Sequence, residues 1–282
     1  MHDVLAGYSR GLYSNWLWHR SLQLVIDAGE GLPLALGTNV FAPNIVALTH
    51  GHSDHILGLP GFAGARRFGK GARDKPWTVL YPLHSNGIDV VKRAIAELWR
   101  GVVFPISWIP MAAGDTFALG NERVLEAFAV THVPDEPALG YRVVESRRRL
   151  KREHLSRPAN EIERLAREVG RDQLSEDFRH TLFVHSGDAM PIATEIARCA
   201  DLLVHDATFI EQTDRREPIH ATSEEALAVA AAARVRTLVL HHLSVRYDRA
   251  TALPRLREQV GASGFKGDCW LLDASEFINL TQ

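Results

Sequence analysis

The stretch LTHGHSDHILGLPGF, residues 48–62, contains three histidines and an aspartate within six positions: His50, His52, Asp54 and His55. Residues two apart in an extended chain point the same way, so His50 and His52 could hold one metal ion from one side. Asp54 and His55 follow as the chain turns, and we expect them to face a second ion. Zinc binds imidazole nitrogen and carboxylate oxygen, and four such ligands on so short a tether are too many for one ion. The alternative is a solvated polar loop.

Two ions need further ligands, and three other apolar runs end in residues of suitable type. AVTH ends at His132, FVHSGD at Asp188, and LVLHHLS contains His241 and His242. Sites in open α/β sheets form where strands stop. We predict one ion on His50, His52 and His132, a second on Asp54, His55 and His242, and Asp188 as the bridge. Two ions bridged in this way hold a hydroxide that is nucleophilic at neutral pH, which is the chemistry of ester, amide or phosphodiester hydrolysis.

Apolar strand patterns alternate with helical patterns along the chain and must position these residues. The predicted strands are 22–29, 44–50, 77–82, 123–132, 139–145, 180–188, 200–209, 236–244 and 268–280. The predicted helices are 89–100, 160–170, 190–200, 222–235 and 250–261. Thr222 or Ser223, and Asn160 with Glu163, are expected to cap two of these helices. The alternation predicts a layered α/β domain.

Composition excludes several classes of protein. The chain has 282 residues, 46% of them hydrophobic, and a net charge of −2, so no bulk positive field draws it to nucleic acid or an anionic membrane. Cys199 and Cys269 lie in different segments and form no CxxC motif, as in proteins of a reducing compartment. We find no basic-then-apolar leader and no apolar run of about 18 residues. We therefore expect a cytoplasmic protein with no membrane partner.

THGHSDH, with the histidine, aspartate and histidine downstream, resembles the metallo-β-lactamase superfamily over essentially the whole chain. Other motifs resemble its ribonuclease Z branch, the tRNA 3′-processing endonucleases: IDAGEG with Asp27 as the family aspartate, THVPDEPALGYRV, HSGDA, HDATF, HATSEEA and HLSVRY. The last motif favours His242 over His241 as the ligand. The resemblance implies one domain over residues 1–282, a four-layer αββα sandwich, two zinc ions (with manganese or iron as alternatives) and a homodimer.

The resemblance also implies catalytic roles for Asp206 and His220, beside Asp54. In the family an acidic residue in the first of two late motifs orients a histidine in the second, which protonates the leaving 3′ oxygen. The family usually has glutamate where this chain has Asp206, which is one methylene shorter. The alternatives are a capping role for Asp206 and a surface position for His220. The remaining candidates, expected to pack in the core or to support a ligand without binding metal, are His84, His185, His205 and His241.

Two basic segments depart from the family pattern. Residues 146–179 stand in place of the family's flexible arm and lack its Gly-Pro pair. This segment starts with Arg147, Arg148, Arg149, Lys151, Arg152 and Arg157 and then has a helical pattern. These side chains could neutralise RNA phosphates or could form a solvated helix face. The second segment, residues 64–75 with Arg66, Arg67, Lys70 and Arg73, could line a phosphate entrance or form a surface loop.

The leading hypothesis is a zinc-dependent phosphodiesterase that acts on the 3′ end of precursor tRNA. The second is a hydrolase of a small substrate: a cyclic nucleotide, another phosphodiester, a lactone or a thioester. A metal-free relative that only binds RNA or a partner is the third. The complete ligand set argues against this third hypothesis, because a non-catalytic relative has no chemical reason to keep all seven ligands.

Overall fold

Two β-sheets organise the molecule. The structure, a computed structural model, describes residues 1, 3–68, 75–100 and 106–282. The first sheet has the order β1 to β6: β1 (Leu5–Arg10), β2 (Ser14–His19), β3 (Leu24–Ile26), β4 (Ile45–Ala47), β5 (Trp77–Pro82) and β6 (Ile106–Met111). The second runs from β14 back to β7: β7 (Thr116–Gly120), β8 (Arg123–Ala129), β9 (Leu139–Leu150), β10 (Ser175–His185), β11 (Leu202–Asp206), β12 (Thr237–His241), β13 (Asp268–Asp273) and β14 (Glu276–Asn279).

Helices cover the outer face of each sheet. Those in the first half are α1 (Leu32–Leu36), α2 (Ser53–Ile56), α3 (Leu59–Phe68) and α4 (Asn86–Leu98). Those in the second half are α5 (Ala159–Val169), α6 (Arg171–Leu174), α7 (Ser223–Ala233) and α8 (Arg249–Ala262). Among the described helices, none combines the length and apolar character needed to cross a bilayer.

Three buried apolar clusters define four layers. One lies between the sheets and includes Leu17 and Val239. A second joins the first sheet to α3 and α4 through residues such as Phe62, and the third joins the other sheet to α7 and α8 through residues such as Leu227 and Leu256. Each sheet thus buries one face against its partner and the other against helices. The predicted αββα sandwich is confirmed.

The direction of the strands explains where the predicted ligands meet. Strands β3 to β6 are parallel, as are β10 to β13. Strand β8 also runs with β10, because each is antiparallel to β9. The carboxyl ends of β4, β8, β10, β11 and β12 therefore lie at one edge of the sandwich, and an isolated bridge between Ser9 and Ala274 connects the two sheets.

Residues 146–179 form a two-stranded extension with a helical tip. The predicted strand at 139–145 continues to Leu150, so Arg147, Arg148 and Arg149 lie on a strand and not on a helix face. Strand β8 pairs with β9 only as far as Glu145, and beyond that point β9 pairs with β10 alone among the described residues. Helices α5 and α6 connect these two strands.

Several local predictions were wrong. Residues 190–200, predicted as a helix, form turns in which the Ile192 amide donates to His205 and the Ile196 amide to Ala193. Asn160 does not cap from outside the helix, because α5 already begins at Ala159. Its Oδ1 instead accepts the Glu161 amide.

The capping prediction for α7 is confirmed at the first of the two candidate residues. Thr222 Oγ1 accepts from the Glu225 amide at 3.2 Å, and Glu225 Oε2 accepts from the Thr222 amide at 2.9 Å. The two contacts form a capping box, which satisfies two amides that the helix itself leaves without partners.

The basic segment at 64–75 is only partly described. Arg66 belongs to α3, is 1% exposed, and donates to the carbonyls of Val40 and Pro43, so it cannot line a phosphate entrance. Arg67 lies with its guanidinium 5.4 Å from the Trp99 ring centroid. Lys70 and Arg73 lie outside the described residues.

Candidate active site

Seven side chains that the sequence suggested as metal ligands converge at the shared strand edge. Four follow β4, where the chain leaves the sheet and enters α2; the others follow β8, β10 and β12. All are buried or partly buried. They are His50, His52, Asp54, His55, His132, Asp188 and His242.

The first group of converging atoms is made of three histidine nitrogens. His52 Nδ1 lies 3.0 Å from His50 Nε2 and 3.3 Å from His132 Nε2. His50 and His52 come from one loop, whereas His132 comes from the loop after β8. Three imidazole nitrogens at this separation could bind one ion.

The second group is made of Asp54, His55 and His242. Asp54 Oδ2 lies 3.5 Å from His55 Nε2 and 3.6 Å from His242 Nε2. Asp188 Oδ2 is 3.0 Å from His242 Nε2, 3.3 Å from His55 Nε2 and 3.8 Å from His50 Nε2. This carboxylate therefore lies between the two groups, as the bridging role requires.

Hydrogen bonds on the outer side fix how four histidines face the centre. Thr49 and Thr208 each donate a hydroxyl hydrogen to a carboxylate, that of Asp27 and that of Asp206. Their oxygens must then accept from the Nδ1–H of His50 and of His242, at 3.0 and 2.7 Å.

The other two histidines, His55 and His132, donate to a carboxylate and to a backbone carbonyl. His55 Nδ1 lies 2.8 Å from Asp27 Oδ2, and His132 Nδ1 lies 3.0 Å from the carbonyl oxygen of Ile219. In the neutral form of each ring, an outward N–H on Nδ1 would leave the Nε2 lone pair for a metal at the centre, which is the arrangement of metal-binding histidines. Asp27, suggested by its motif, thus contacts a ligand and not the centre itself.

Sequence reasoning missed three contributors to this arrangement. Asn15 donates to Asp54 Oδ2 at 3.0 Å, and Thr208 connects His242 to Asp206. Glu136 Oε1 accepts from the Gly51 amide at 2.8 Å, between two ligand histidines. Thr208 lies in HDATF, the motif that also contains Asp206, and Glu136 lies in THVPDEPALGYRV, whereas nothing in the sequence marks Asn15.

The charges of the centre suit a cation. Burial alone would raise the pKa of Asp188, but the electrostatic effect of the neighbouring His242 and His55 holds it well below its usual range. Burial acts on Asp54 in the same direction, and its contacts with these two histidines outweigh burial and lower its pKa. Burial lowers the pKa of His50 well below its usual value, so this imidazole is neutral. Burial acts on His55 in the same direction, but the charges of Asp188 and Asp27 outweigh it and raise its pKa, so a metal ion bound there would displace its proton. Ionised carboxylates with neutral imidazole nitrogen are the donors that zinc-class ions take.

Two buried atoms support metal binding independently of the donor types. His242 Nε2 and Asp188 Oδ1 have no hydrogen-bond partner among the described residues. Buried polar atoms without partners are costly, and a cation at the centre would satisfy them. The residues present therefore fit a divalent metal site.

Asp206 and His220 form a buried pair beside this centre. His220 Nδ1 lies 2.7 Å from Asp206 Oδ2, and the His220 ring stacks on that of His242 with centroids 5.0 Å apart. Burial works against protonation of His220, but the charge and hydrogen bond of Asp206 outweigh it and raise the pKa to about 9. The shorter side chain of aspartate reaches its partner, and His220 is only 13% exposed, so the surface alternative for His220 is wrong. Asp206 Oδ1 also accepts the Thr208 amide at 2.8 Å, so its side chain caps the turn as well as pairing with His220.

The other four histidines lie away from the converging atoms. His205 and His185 are buried and bond to backbone groups, and the His241 ring lies 4.7 Å from that of His185. His84 is exposed in a turn with a positive φ of 70°, so the expectation of a packed or supporting position is wrong there.

Comparison with known proteins agrees with this geometry. The profile of the metallo-beta-lactamase superfamily matches residues 13–149. The ribonuclease Z of Gemmatimonas aurantiaca is 31% identical over 292 aligned positions, which cover 95% of this chain and 90% of the relative. Ribonuclease Z of Metallosphaera sedula is also 31% identical and covers 84% of each chain.

A solved structure shares the fold at low sequence identity. The short form of human tRNase Z superposes with a TM-score of 0.65 and 19% identity, and the match covers 99% of both chains. Together with the relatives above, the converging histidines and carboxylates identify the chain as a metal-dependent hydrolase that belongs to the ribonuclease Z family of the metallo-β-lactamase superfamily.

Proposed function

We propose that this protein is an endoribonuclease that cleaves precursor tRNA at its 3′ end. The observation that carries the proposal is the Asp206–His220 pair, with 2.7 Å between its bonded atoms, next to the converging metal ligands. Such a pair supplies a proton to a poor leaving group, as an RNA 3′ oxygen is. A nitrophenolate ester or a lactone has less need of it.

We propose two zinc ions as the resident metals. The first would bind to His50, His52 and His132 and the second to Asp54, His55 and His242, with Asp188 shared. Ions held there would supply a strongly polarised water and would neutralise charge on a phosphodiester.

The protein's own side chains would then transfer two protons, one to the leaving oxygen and one from the attacking water. The water oxygen bonds to phosphorus while the bond from phosphorus to the 3′ oxygen breaks, which yields a 3′-hydroxyl and a 5′-phosphate. His220 donates the Nε2 proton to the leaving oxygen while its Nδ1–H stays on Asp206. Asp54, through the carboxylate oxygen that Asn15 does not contact, accepts the proton of the attacking water.

A comparison of two substrates tests the acid. His220→Ala should lower turnover of precursor tRNA by roughly 10²–10⁴. Its effect on bis-p-nitrophenyl phosphate should be far smaller, because nitrophenolate leaves without a proton. Equal losses on the two substrates would show that His220 serves metal binding or structure instead.

A small phosphodiester remains the second candidate substrate, and one observation favours it. Three arginines of the 146–179 segment, which we propose takes the place of the family arm, are paired with carboxylates. Arg147 pairs with Glu145, Arg148 with Asp172 and Asp177, and Arg149 with Glu176. Rapid turnover of a cyclic nucleotide, with no cleavage of precursor tRNA by the same preparation, would favour this candidate.

We also propose a homodimer in the cytoplasm. The dimer is supported by the resemblance to ribonuclease Z, and a reducing compartment by the free thiols of Cys199 and Cys269. Sedimentation equilibrium of the metal-loaded protein tests the dimer, and a monomer at micromolar concentration would contradict it.

A further inference from the structure

His220 lies near the end of a long loop that joins β11 to α7. Within residues 207–222 the structure has one short 3-10 turn, Gln212–Asp214, and no longer helix or strand. Loops of this kind are more mobile than the elements they connect. A general acid must be held within a few tenths of an ångström of its working position, so something must fix this loop.

Arg215 connects the backbone of His220 to the first turn of α7. Its Nη1 donates to the carbonyl oxygen of His220 at 3.1 Å. Nη1 and Nη2 also donate to the two carboxylate oxygens of Glu225, at 2.6 and 2.9 Å. The Arg215 side chain is only 10% exposed, and a bidentate pair of this kind fixes orientation as well as distance.

Glu225 is itself fixed, because it is part of the capping box of α7. The same Oε2 that binds Arg215 accepts the Thr222 amide at 2.9 Å. The chain is therefore held at His220 by the arginine and two residues later by the helix cap. Both attachments rest on one carboxylate in a buried helix end.

The other neighbours of His220 are attached to the metal centre. The Ile219 carbonyl accepts from the ligand His132, and the Ala221 amide donates to the carbonyl of Ala189, next to Asp188. The flanking peptides thus face the ligands, while the His220 carbonyl faces Arg215. Among the described residues, the hydrogen-bond partners of the Arg215 side chain are Met190, His220 and Glu225, and none of these is a metal-ligand candidate, so the arginine acts on the histidine and not on the metals.

We propose that Arg215, clamped by Glu225, is the positioning residue for the general acid: it fixes the His220 backbone so that the imidazole stays on Asp206 and aimed at the leaving oxygen. This inference rests on the proposed acid role of His220. Arg215 acts only through His220. Its effect on the rate should therefore be large for a leaving group that needs a proton and small for one that does not.

The test uses matched variants and two substrates with the full-length, metal-loaded protein. Arg215→Met keeps the apolar stem and removes both sets of hydrogen bonds, Arg215→Lys restores only a point charge, and Arg216→Met changes an exposed neighbour. We expect Arg215→Met to lower kcat for precursor tRNA by about 10- to 100-fold, with little change in KM and a much smaller loss on bis-p-nitrophenyl phosphate. Arg215→Lys should recover part of the loss, and Arg216→Met should behave as the parent protein.

A double-mutant cycle separates this inference from the acid role on which it rests. If Arg215 acts only through His220, adding Arg215→Met to His220→Ala should cause almost no further loss on tRNA. Losses that multiply in the double variant would overturn the inference while leaving the acid role intact. If His220→Ala lowers turnover of the two substrates equally, the acid role itself is overturned.

Metal content and thermal unfolding show whether Arg215→Met lowers activity indirectly, through loss of metal or of stability. Arg215→Met should retain the metal content of the parent, because its contacts are with His220 and Glu225. If Arg215→Met does not fold, Glu225→Gln tests the same clamp, since it keeps the capping geometry but removes the charge that binds Arg215. Equal losses on both substrates in either folded variant, or loss of metal, would overturn the positioning role.

Discussion

Thr208 shows how one hydroxyl connects the two chemical parts of the site. It donates to Asp206, the partner of the acid, and accepts from His242, a candidate metal ligand. A hydroxyl has one hydrogen, and the buried carboxylate takes it, so the orientation of the His242 ring follows from the charge of Asp206. The proposed general acid and the candidate metal centre therefore share one hydrogen-bonded network.

The ligand sets predict distinct losses of metal for two substitutions. The protein purified without chelator should contain close to two zinc-class ions per chain. His242→Ala should leave about one, because the three-histidine group remains complete. Asp188→Ala should reduce occupancy of both positions, since its Oδ2 lies within 3.8 Å of nitrogens from both groups. Metal analysis measures this, and a parent stoichiometry near one that His242→Ala leaves unchanged would contradict the dinuclear arrangement.

Glu136 connects two loops that carry the three-histidine group. It follows His132 in sequence, and its Oε1 accepts from the Gly51 amide at 2.8 Å and from Ser85 Oγ at 2.6 Å. The approach is so close that a Cβ at Gly51 would lie 2.3 Å from Ser85 Oγ. The carboxylate therefore fixes the peptide between the first two histidines relative to the third.

Loss of this carboxylate should weaken one metal position more than the other. We expect Glu136→Ala to lower the affinity of the three-histidine group by about tenfold, as is usual for residues that orient ligands. The second position should be much less affected. Competitive titration with a chromophoric chelator resolves the two constants, and Asp135→Ala, an exposed neighbour, is the control. An equal effect of both substitutions would argue against the role of Glu136.

At the scale of elements, patterns of polarity predicted those strands and helices whose faces are buried in a regular way. The predicted helices at 89–100 and 222–235 correspond to α4 and α7 within a few residues. The hairpin of β1 and β2 was missed, because every residue of β2 is buried and no alternation shows in SNWLWH. Residues 190–200 have helical spacing, but the chain around them is held in turns by hydrogen bonds to the end of β11. The Ala189 amide donates to Asp206 and the Ile192 amide to His205.

The sequence predicts the candidate ligands, from their residue types and their places at strand ends. It does not predict the residues that hold them in position. Four ligand-type residues in six positions identify a metal loop without any knowledge of the fold. By contrast, Asn15, Glu136 and Arg215 act through contacts that only the folded chain creates, and each residue type is common on protein surfaces.

The first turn of α7 carries a prediction about stability and pH. Burial works to raise the pKa of Glu225, but the hydrogen bond from Arg215 and that from the Thr222 amide outweigh it and lower the pKa. A carboxylate with a lowered pKa in the folded state stabilises the fold above its unfolded pKa, about 4.3. That contribution is lost as the pH falls through the lower, folded pKa.

Glu225→Gln should therefore lower the free energy of unfolding at neutral pH and have much less effect at about pH 3.5. Urea unfolding of metal-depleted protein at the two pH values measures the difference. Glu224→Gln, at the exposed preceding position, should have little effect at either pH. A loss for Glu225→Gln that is the same at both pH values would mean that shape, and not charge, accounts for its contribution.

For the whole molecule, the four-layer architecture brings the candidate ligands to one edge and leaves the arm beyond the sheet. The ligands come from both sheets, because the carboxyl ends of β4 and of β8, β10 and β12 share this edge. The arm is instead a local extension of β9 and β10. None of the seven candidate ligands therefore lies in residues 146–179.

The charge pairing of the arm decides how RNA binding should respond to salt. Arg148 and Arg149 face Asp177 and Glu176 across the two strands, with these arginine side chains 58% and 50% exposed. Each phosphate that a cation neutralises steepens the fall of log affinity with log salt by about one unit. An arginine whose charge is already offset by a carboxylate contributes much less to that slope. The sequence shows the acidic residues of this segment but not their pairing, because they face the arginines through strand register.

We therefore expect replacement of Arg147, Arg148 and Arg149 by alanine to change the salt slope of precursor-tRNA binding by less than about one unit. A matched variant, Glu176→Gln with Asp177→Asn, removes the carboxylate partner of Arg149 and one of the two partners of Arg148, and should steepen the slope. Filter binding over a series of salt concentrations measures both, with catalysis prevented by His220→Ala. If the salt slope of the triple-alanine variant is instead shallower by about two to three units, the arginines leave their carboxylates for phosphates. The arm would then be an RNA-binding element. A steeper slope in the matched variant, with no change in the triple-alanine one, would show that carboxylate pairing keeps the arm neutral toward RNA.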